Sequence, residues 1–317
     1  DQVAKTRLVA GIQPEGFSWK IDAGECFTAP EVLLSYSGAG LGSLSQQLHC
    51  FINRHIIHGK WAGVRRPVLL NSWEAAYCDF DDQKILSIAA SAARLGIELF
   101  VLDDGWFGKR NSDTSSLGDW YVNEDKIKCG LPALCEEINR LGLRFGIWIE
   151  PEMISLDSDL YRAHADWMLA APNRAPVSSR CQYVLDMSRE DVVDYLYDCF
   201  HALFSSCSIS YVKWDMNRSI SDFWSAALPA ERQGELAHRY MLGVYRLLER
   251  LTDAFPDILL ETCSSGGGRF DAGMLYYSPQ IWCSDNTDPL ARLSIQSGTE
   301  MIYPPSCIGA HVSASPN

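Results

Sequence analysis

The sequence is poor in basic residues and has no long apolar run, and each shortage excludes a class of protein. Of its 317 residues, 27 are Lys or Arg against 40 Asp and Glu, which gives a net charge of −13. Nucleic acids and anionic membranes are bound through basic side chains, so this balance argues against both as partners. No run of 18 apolar residues is present to cross a membrane. The first residues, DQVAKTRLVAG, lack the apolar stretch of a signal peptide.

The cysteines lack the spacing of a zinc site or a disulfide framework. There are 11 of them, an odd number, and no two form a C-x-x-C pair. We therefore expect free thiols in a reducing compartment. The triplet Asn217-Arg218-Ser219 would be glycosylated in a secreted eukaryotic protein. Because this triplet lies inside the candidate site described below, a cytoplasmic location is the simpler interpretation.

Two regions of the chain differ in their hydrophobic pattern. Residues 1–58 begin with alternating segments typical of antiparallel strands, namely TRLVAGI, FSWKID and EVLLSYS. The segment 43–57 then has the apolar spacing of a helix. We interpret residues 1–58 as the end of an antiparallel β region and a linking helix.

Residues 59–317 contain eight apolar segments that mostly alternate with helical patterns. This alternation predicts a parallel sheet, and eight strands are the number that closes a (β/α)8 barrel. No G-x-G-x-x-G motif follows the first segment, as it does in dinucleotide-binding sheets. The chain is expected to stop after the eighth strand, without a final helix. The predicted strands are 68–73, 98–106, 144–152, 183–188, 210–217, 257–268, 281–286 and 301–313.

Carboxylates and tryptophans recur where the predicted strands end. A barrel of this type has its active site at the C-terminal ends of its strands. A single Asp after a strand commonly caps the next helix, but several carboxylates on one rim favour a catalytic site. The residues at these ends are Trp73, Asp103, Asp104, Trp106, Trp148, Glu150, Glu152, Asp186, Lys213, Asp215, Asn217, Cys263, Gly266–Gly268 and Asp285.

The segment YVKWDMN (211–217) places a lysine and a carboxylate on the same side of a strand. Because strand side chains alternate, Lys213 and Asp215 point together while Trp214 faces the helices. A nearby ammonium keeps a carboxylate ionised, which suits a nucleophile. A purely structural ion pair is the alternative.

Asp285 in IWCSDN follows an aromatic, apolar run and has no adjacent cation. Partial burial would raise its pKa, as a general acid requires. Two Asp residues in contrasting environments are the pattern for glycoside cleavage. A separation of roughly 5–5.5 Å would indicate retention and roughly 6.5–9.5 Å inversion, and the sequence leaves both open.

Other residues of this rim suit a sugar ligand. Asp103 and Asp104 offer four oxygens for paired hydroxyls, and a divalent metal is a weaker alternative because no further ligand has matching spacing. The segment SSGGGR (264–269) lacks the Lys-Ser/Thr ending of a P-loop, so close backbone approach to a ligand is favoured. Aromatic side chains that could stack on a sugar ring are Trp73, Trp106 and Trp148.

Several long segments resemble signature motifs of family 36 glycoside hydrolases, the bacterial type of α-galactosidase. They are DDGWFG, GIWIEPEM, YVKWDMNR, ETCSSGGGRFD and IWCSDNTD, with VAGIQPEGFSW near the start and CIGAHVS near the end. The resemblance implies a β-sandwich, a catalytic (β/α)8 barrel and a small C-terminal β domain. Residues 1–58 would then be the end of the sandwich with a linking helix, and 59–317 the barrel, truncated after its eighth strand.

The resemblance also implies roles for individual residues. Asp215 would be the nucleophile that forms a β-galactosyl-enzyme, Asp285 the acid/base, and Asp103 and Asp104 the ligands of the 4- and 6-hydroxyls of galactose. No metal or other cofactor is implied. Further substrate-binding residues would be Lys213, Asn217, Cys263, Gly266 or Gly267, and Arg180, with Trp73 and Trp148 lining the −1 site.

The sequence therefore predicts a retaining α-galactosidase that acts on raffinose-type oligosaccharides or melibiose. A homo-oligomer is expected, such as the tetramer that some family members form. One alternative is a raffinose-synthase-like transglycosylase or an α-N-acetylgalactosaminidase; Cys263 beside a bare 2-hydroxyl fits galactose better than an N-acetyl group. An inactive sugar-binding barrel is the alternative of another class, and the presence of both Asp215 and Asp285 argues against it.

Overall fold

The structure is a computed structural model that describes residues 6–313. It contains nine strands within these residues, β1 to β9 in chain order. They are Leu69–Asn71, Leu99–Leu102, Arg144–Ile149, Met153–Ile154, Tyr183–Val184, Ile209–Trp214, Leu259–Thr262, Gln280–Trp282 and Ile308–Gly309. The α-helices of the same residues, α1 to α9, are Leu41–Phe51, Trp73–Ala76, Asp82–Arg94, Leu131–Arg140, Asp159–Ala163, Glu190–Ser206, Leu236–Ala254, Ala272–Tyr277 and Pro289–Glu300.

Seven strands form one parallel sheet in the order β1-β2-β3-β6-β7-β8-β9. Most neighbours in this sheet are joined through helices, as parallel strands require. This architecture agrees with the predicted (β/α)8 class, with one correction. The predicted strand 183–188 lies outside the main sheet, and β3 pairs directly with β6.

The backbone of segment 183–188 is occupied elsewhere, which explains the correction. Its strand β5 pairs antiparallel with β4. The N–H of Leu185 donates to the Glu152 carbonyl, and that of Asp186 donates to the Trp167 carbonyl. Since each backbone group needs one partner, these bonds replace a place in the main sheet.

Alternate residues of the strands pack on opposite sides of the sheet. In β2, Phe100 and Leu102 belong to the large cluster beneath the helices, whereas Leu99 and Val101 pack with Tyr211 in a small inner cluster. The strand period of two produces this division. The same alternation places Asp103, two residues after Val101, and Lys213, two residues after Tyr211, on the inner side near one end of the sheet.

The predicted strands before residue 41 are not formed. Residues 6–40 contain no strand in the structure and are mostly exposed. They contact the start of α7 instead, where the N–H of Ser18 donates to the Gly234 carbonyl and the ring of Trp19 lies under Arg239. A strand needs a partner to pair with, and none of the described residues offers one here. The assignment of 1–58 to a sandwich stays a prediction.

The predicted helix at 43–57 is present as α1, followed by a π-helical turn at Ile52–Ile56. All eleven cysteines lie within the described residues and carry free thiols, as predicted. No helix between residues 6 and 313 is both long and apolar enough to cross a membrane.

Candidate active site

The carboxylate of Asp215 is buried and held in one orientation at the end of β6. The Trp148 indole Nε1 donates to its Oδ2 at 3.1 Å, and the backbone N–H of Met216 donates to its Oδ1 at 3.0 Å. Its own N–H donates to the Ile149 carbonyl of the neighbouring strand. Two bonds thus hold the carboxylate and a third holds its backbone, and this fixed orientation suits a nucleophile that must attack from one direction.

Lys213 lies on the same side as Asp215, as predicted, but its ion pair is with a different carboxylate. Its Nζ lies 3.8 Å from Asp103 Oδ2, and within residues 6–313 Asp103 is the carboxylate that forms an ion pair with it. Burial opposes the ammonium charge, but Asp103 and then Asp215 outweigh it and raise the pKa of Lys213. Asp215 does not form an ion pair with Lys213 within 4 Å, but the charges of the two groups act on each other, as expected for a nearby ammonium.

Asp103 and Asp104 follow β2 and are both buried, with different partners. Asp103 accepts hydrogen bonds from the Asn71 amide and the N–H of Asp104, while burial raises the pKa of its carboxyl. Asp104 is paired with the guanidinium of Arg110, whose Nε and Nη2 lie 2.9–3.2 Å from the two carboxylate oxygens. Sequence reasoning missed Arg110, because nothing in the loop signals which carboxylate it reaches.

The turn that carries this Asp pair is held from behind by Lys126. Its buried ammonium donates to three carbonyls, those of Cys78 at 2.8 Å, Gly105 at 2.9 Å and Arg110 at 2.6 Å. Gly105 has φ +105°, and a Cβ there would lie 3.1 Å from the Phe80 ring. The turn therefore needs glycine and a cation to keep its shape.

Burial corrects part of the predicted sugar-stacking set. Trp106 is 0% exposed and Trp148 3% exposed, so neither offers a ring face to a ligand. Trp106 Nε1 donates to the Trp148 carbonyl, and the Trp148 ring stacks on Phe107. Trp148 takes part in the site through its indole N–H on Asp215. Trp73, at the start of α2, is partly exposed and remains available for stacking.

Cys263 follows β7 and is buried beside the segment that carries Asp215, since its carbonyl accepts the N–H of Met216. Burial raises the pKa of its thiol, and the charges of Asp215 and Asp285 add to this effect, while Lys213 opposes it. Its Sγ accepts the N–H of Gly266 at 3.4 Å. The thiol is therefore neutral at physiological pH.

The glycines after Cys263 allow a close approach to the segment that carries Asp285. Gly266 has φ +90°, and a Cβ there would lie 2.9 Å from the Cα of Ser284. A Cβ on Gly267 would lie 2.7 Å from the Cys283 carbonyl oxygen. The close approach in the structure is to the loop after β8, and the predicted close approach to a ligand stays a prediction.

Asp285 is exposed, so the burial predicted for it is wrong. Its Oδ1 accepts the indole N–H of Trp282 at 2.8 Å. Arg292, on α9, donates to the carbonyls of Ser284 at 2.8 Å and Asn286 at 3.4 Å, one on each side of Asp285. The strand β8 ends at Trp282, which leaves Asp285 beyond the sheet on a loop that reaches solvent.

Arg180 and Asn217 are brought together at the edge of the site. The Arg180 guanidinium donates to Asn217 Oδ1 at 2.9 Å. Glu150 Oε1 accepts the backbone N–H of Asn217 and the amide of Gln182. Burial and then the charge of Asp215 raise the pKa of Glu150 to about 8. Glu150 was at a predicted strand end, but no local pattern indicates that the charge of Asp215 acts on it.

Glu152 anchors the layer beneath Asp215. Its two oxygens accept the Trp214 indole N–H at 2.9 Å, the Tyr240 hydroxyl at 2.7 Å, and both terminal nitrogens of Arg269 at 2.8–2.9 Å. Trp214 thus faces the helix side, as predicted. A cavity of about 470 Å³ lies above this layer; it is lined by Ser179, Met216–Ile220, Tyr240, Met241, Ser264, Ser265, Gly268 and Arg269.

Metal-binding geometry was a weaker alternative for Asp103 and Asp104. Their oxygens are engaged by the ammonium, amide and guanidinium groups described above. Across residues 6–313, no group of three or more His, Cys, Asp or Glu side chains is arranged to hold a metal ion.

Comparison with known proteins decides the family. Residues 26–317 match the sequence profile of the Melibiase family. The chain belongs to the Melibiase family. The resemblance to family 36 glycoside hydrolases is thereby confirmed.

Curated relatives of this Melibiase chain are named α-galactosidases. Alpha-galactosidase AgaA of Geobacillus stearothermophilus is 54% identical over 317 residues, covering 100% of this chain and 44% of the relative. Alpha-galactosidase 1 of Pediococcus pentosaceus is 52% identical, covering 100% and 43%. The chain spans less than half the length of these relatives.

Solved structures confirm the barrel class of this Melibiase chain. The GH36 α-galactosidase AgaA from Geobacillus stearothermophilus, a variant in complex with raffinose, superimposes with a TM-score of 0.95 at 54% identity, covering 97% of this chain and 43% of that one. The α-galactosidase from Lactobacillus brevis gives a TM-score of 0.95 at 50% identity, with coverages of 97% and 41%.

Proposed function

We propose that the protein containing this chain is a retaining α-galactosidase that hydrolyses terminal α-D-galactosyl residues, as in raffinose-type oligosaccharides and melibiose. One observation carries the proposal: the segment around Cys263 contacts both carboxylate segments, since the Cys263 carbonyl accepts the N–H of Met216 and Gly266 packs against the backbone of Ser284 and Asp285. One carboxylate is buried and fixed, and the other is exposed. Relatives with the same barrel are named α-galactosidases, and one is described with raffinose bound.

The first chemical step would divide between the two carboxylates. An Asp215 oxygen attacks the anomeric carbon from the β face, while Asp285 donates its proton to the glycosidic oxygen. The bond between the anomeric carbon and that oxygen breaks, and a β-galactosyl ester of Asp215 forms. The hydrogen bonds from Trp148 and Met216 orient the attacking carboxylate before this step.

The second step would use the same groups in reverse. Asp285 accepts a proton from water, and the water oxygen attacks the anomeric carbon from the α face. The ester bond breaks, which releases α-galactose and restores the Asp215 carboxylate. The exposure of Asp285 supports hydrolysis over transfer to a second sugar, because water reaches the base directly.

The remaining residues would bind galactose. Asp103 and the Lys213 ammonium form a charged pair that can accept and donate hydrogen bonds to sugar hydroxyls, and Asp104 keeps free lone pairs beside Arg110. The neutral Cys263 thiol, packed under Gly266, supports galactose over an N-acetylated sugar. We also propose a cytoplasmic, homo-oligomeric protein, supported by its free thiols and by the resemblance respectively.

The anomer released first tests the mechanism. The complete protein, including any sequence that flanks these residues, would be mixed with an aryl α-galactoside and followed by proton NMR. We expect α-galactose to appear first and to mutarotate slowly to the β form. Release of β-galactose first would overturn double displacement, and no release of galactose would overturn the proposed activity.

A further inference from the structure

The segment after Asp215 contains two buried charged residues that the proposed reaction does not use. Arg218 is 6% exposed and Asp222 5% exposed. Charged side chains are seldom buried unless paired or hydrogen-bonded, because removing them from water is costly. The partners of Arg218 and Asp222 therefore indicate a second role of this segment, in addition to carrying Asp215.

Arg218 bonds to both ends of the loop 177–182, which is about 40 residues earlier in the chain. Its Nη1 donates to the carbonyls of Val177 and Gln182, both at 2.8 Å. Its Nε and Nη2 bond within its own segment, to the Ser219 carbonyl and the Ser221 hydroxyl. The planar guanidinium thus joins two ends of the 177–182 loop to the strand-end segment.

Asp222 holds the same loop at the same residue. Its Oδ2 accepts the N–H of Val177 at 2.9 Å, and its Oδ1 pairs with Arg174. The N–H and the carbonyl of Val177 are therefore both taken by side chains from residues 218–222. We call these contacts of Arg218 and Asp222 the loop clamp.

The loop held by this clamp presents Arg180 in a constrained conformation. Arg180 and Cys181 have φ +51° and +59°, a left-handed region that side-chain-bearing residues avoid. Such a conformation persists only where surrounding contacts enforce it. The result is the 2.9 Å hydrogen bond from Arg180 to Asn217.

We propose that Arg218 and Asp222 are positioning residues that fix the 177–182 loop and so hold Arg180 against Asn217 at the rim of the site. The expectation that Arg180 contacts a galactoside rests on the proposed function. The clamp and the nucleophile share one segment, so the segment that carries Asp215 also sets the position of a residue 35 places earlier in the chain.

The kinetic test uses Asp222→Ala in the complete protein. Loss of the clamp should raise KM for an aryl α-galactoside about tenfold and change kcat less than about threefold, because a substrate contact is displaced while Asp215 and Asp285 stay in place. Asp222→Asn keeps an oxygen for the Val177 N–H and should restore most of the affinity. Arg162→Ala removes a surface ion pair elsewhere and is the matched control.

A double-mutant cycle tests the route through Arg180. In an Arg180→Ala background, Asp222→Ala should raise KM less than about twofold further, since the residue it positions is already missing. Effects that multiply, or a fall in kcat at unchanged KM, would overturn the positioning role.

Hydrogen exchange separates this inference from the proposed function. In Asp222→Ala, the amides of residues 177–182 should exchange at least about tenfold faster, with the barrel strands unchanged. This readout needs no turnover, so it stands even if the protein does not cleave galactosides. Unchanged exchange in the loop would overturn the clamp. Arg218→Met is a second variant, and it should give the same pattern.

Discussion

Asp215 and Asp285 each accept a hydrogen bond from a tryptophan indole, yet their surroundings are opposite. Asp215 lies buried at the end of β6, where one indole and one backbone N–H donate to its carboxylate, whereas Asp285 lies on an exposed loop beyond β8. A nucleophile benefits from a fixed direction of attack. A group that gives and then takes a proton benefits from contact with water. The difference in burial therefore supports the two proposed roles, although the chemical groups are identical.

The largest effect should come from the buried carboxylate. Asp215→Asn removes the nucleophile with little change in side-chain size, so turnover of an aryl α-galactoside should fall by at least about 10³-fold. Added azide should restore some rate and yield β-galactosyl azide, which identifies the missing group. Near-normal activity without azide would remove Asp215 from the mechanism and break the comparison.

The exposed carboxylate should show a smaller and substrate-dependent effect. Asp285→Asn should reduce turnover of raffinose by about 10²–10⁴-fold, the range expected for a lost general acid. An aryl galactoside with a good leaving group needs little protonation, so its first step should suffer less. Burst kinetics on both substrates measure this difference. Equal losses in the two first steps would contradict the acid role.

The two indoles offer a matched pair of variants. Trp148→Phe deprives buried Asp215 of a donor, which typically costs about 1–3 kcal/mol, or roughly 10–100-fold in kcat. Trp282→Phe does the same to exposed Asp285, where water replaces the lost N–H, so an effect of about threefold or less is expected. Steady-state kinetics with melting temperatures compare the two. A larger loss for Trp282→Phe would reverse the proposed importance of burial.

The smallest effect concerns the buried neighbour of Asp215. The pKa of Glu150 is raised to about 8, so between the ordinary pKa of glutamate and 8 the unfolded state binds fewer protons than the folded state. The free energy of unfolding should therefore fall as pH rises through this window, by up to about 1.4 kcal/mol per pH unit. Below the ordinary pKa this contribution to the slope should vanish.

Glu150→Gln is the matched control for this pH dependence. Its amide oxygen can still accept the N–H of Asn217, but it does not titrate. Urea unfolding at pH 5.5, 7 and 8.5 should give a shallower decline for this variant than for the unsubstituted protein. Parallel curves would show that Glu150 does not titrate in this window.

The parts of the site that follow from strand alternation were predictable, and those set by loops were not. Lys213 and Asp215 share one side and Trp214 the other because a strand has a period of two. The pairing of Lys213 with Asp103 depends on the position of the turn after β2 relative to β6, and no local sequence pattern determines that position. The exposure of Asp285 likewise depends on where β8 ends.

The same limit explains the errors in the fold. The parallel sheet follows from apolar segments that alternate with helices. Segment 183–188 is as apolar as a sheet strand, but its backbone is bonded to residues 152–154 and 167. The indole of Trp148 is similar: the sequence shows an aromatic residue at a strand end, while its N–H contact with Asp215 spans 67 positions of the chain.

Lys126 supplies a positive charge, covalently attached to the chain, to the turn that carries Asp103 and Asp104. The three carbonyls of Cys78, Gly105 and Arg110 surround its ammonium as they would a small ion. A charge tethered in this way keeps the same local concentration at any dilution of protein or salt. The turn that presents Asp103 and Asp104 is thus assembled once, during folding, and keeps its shape whatever cations the surrounding solution supplies.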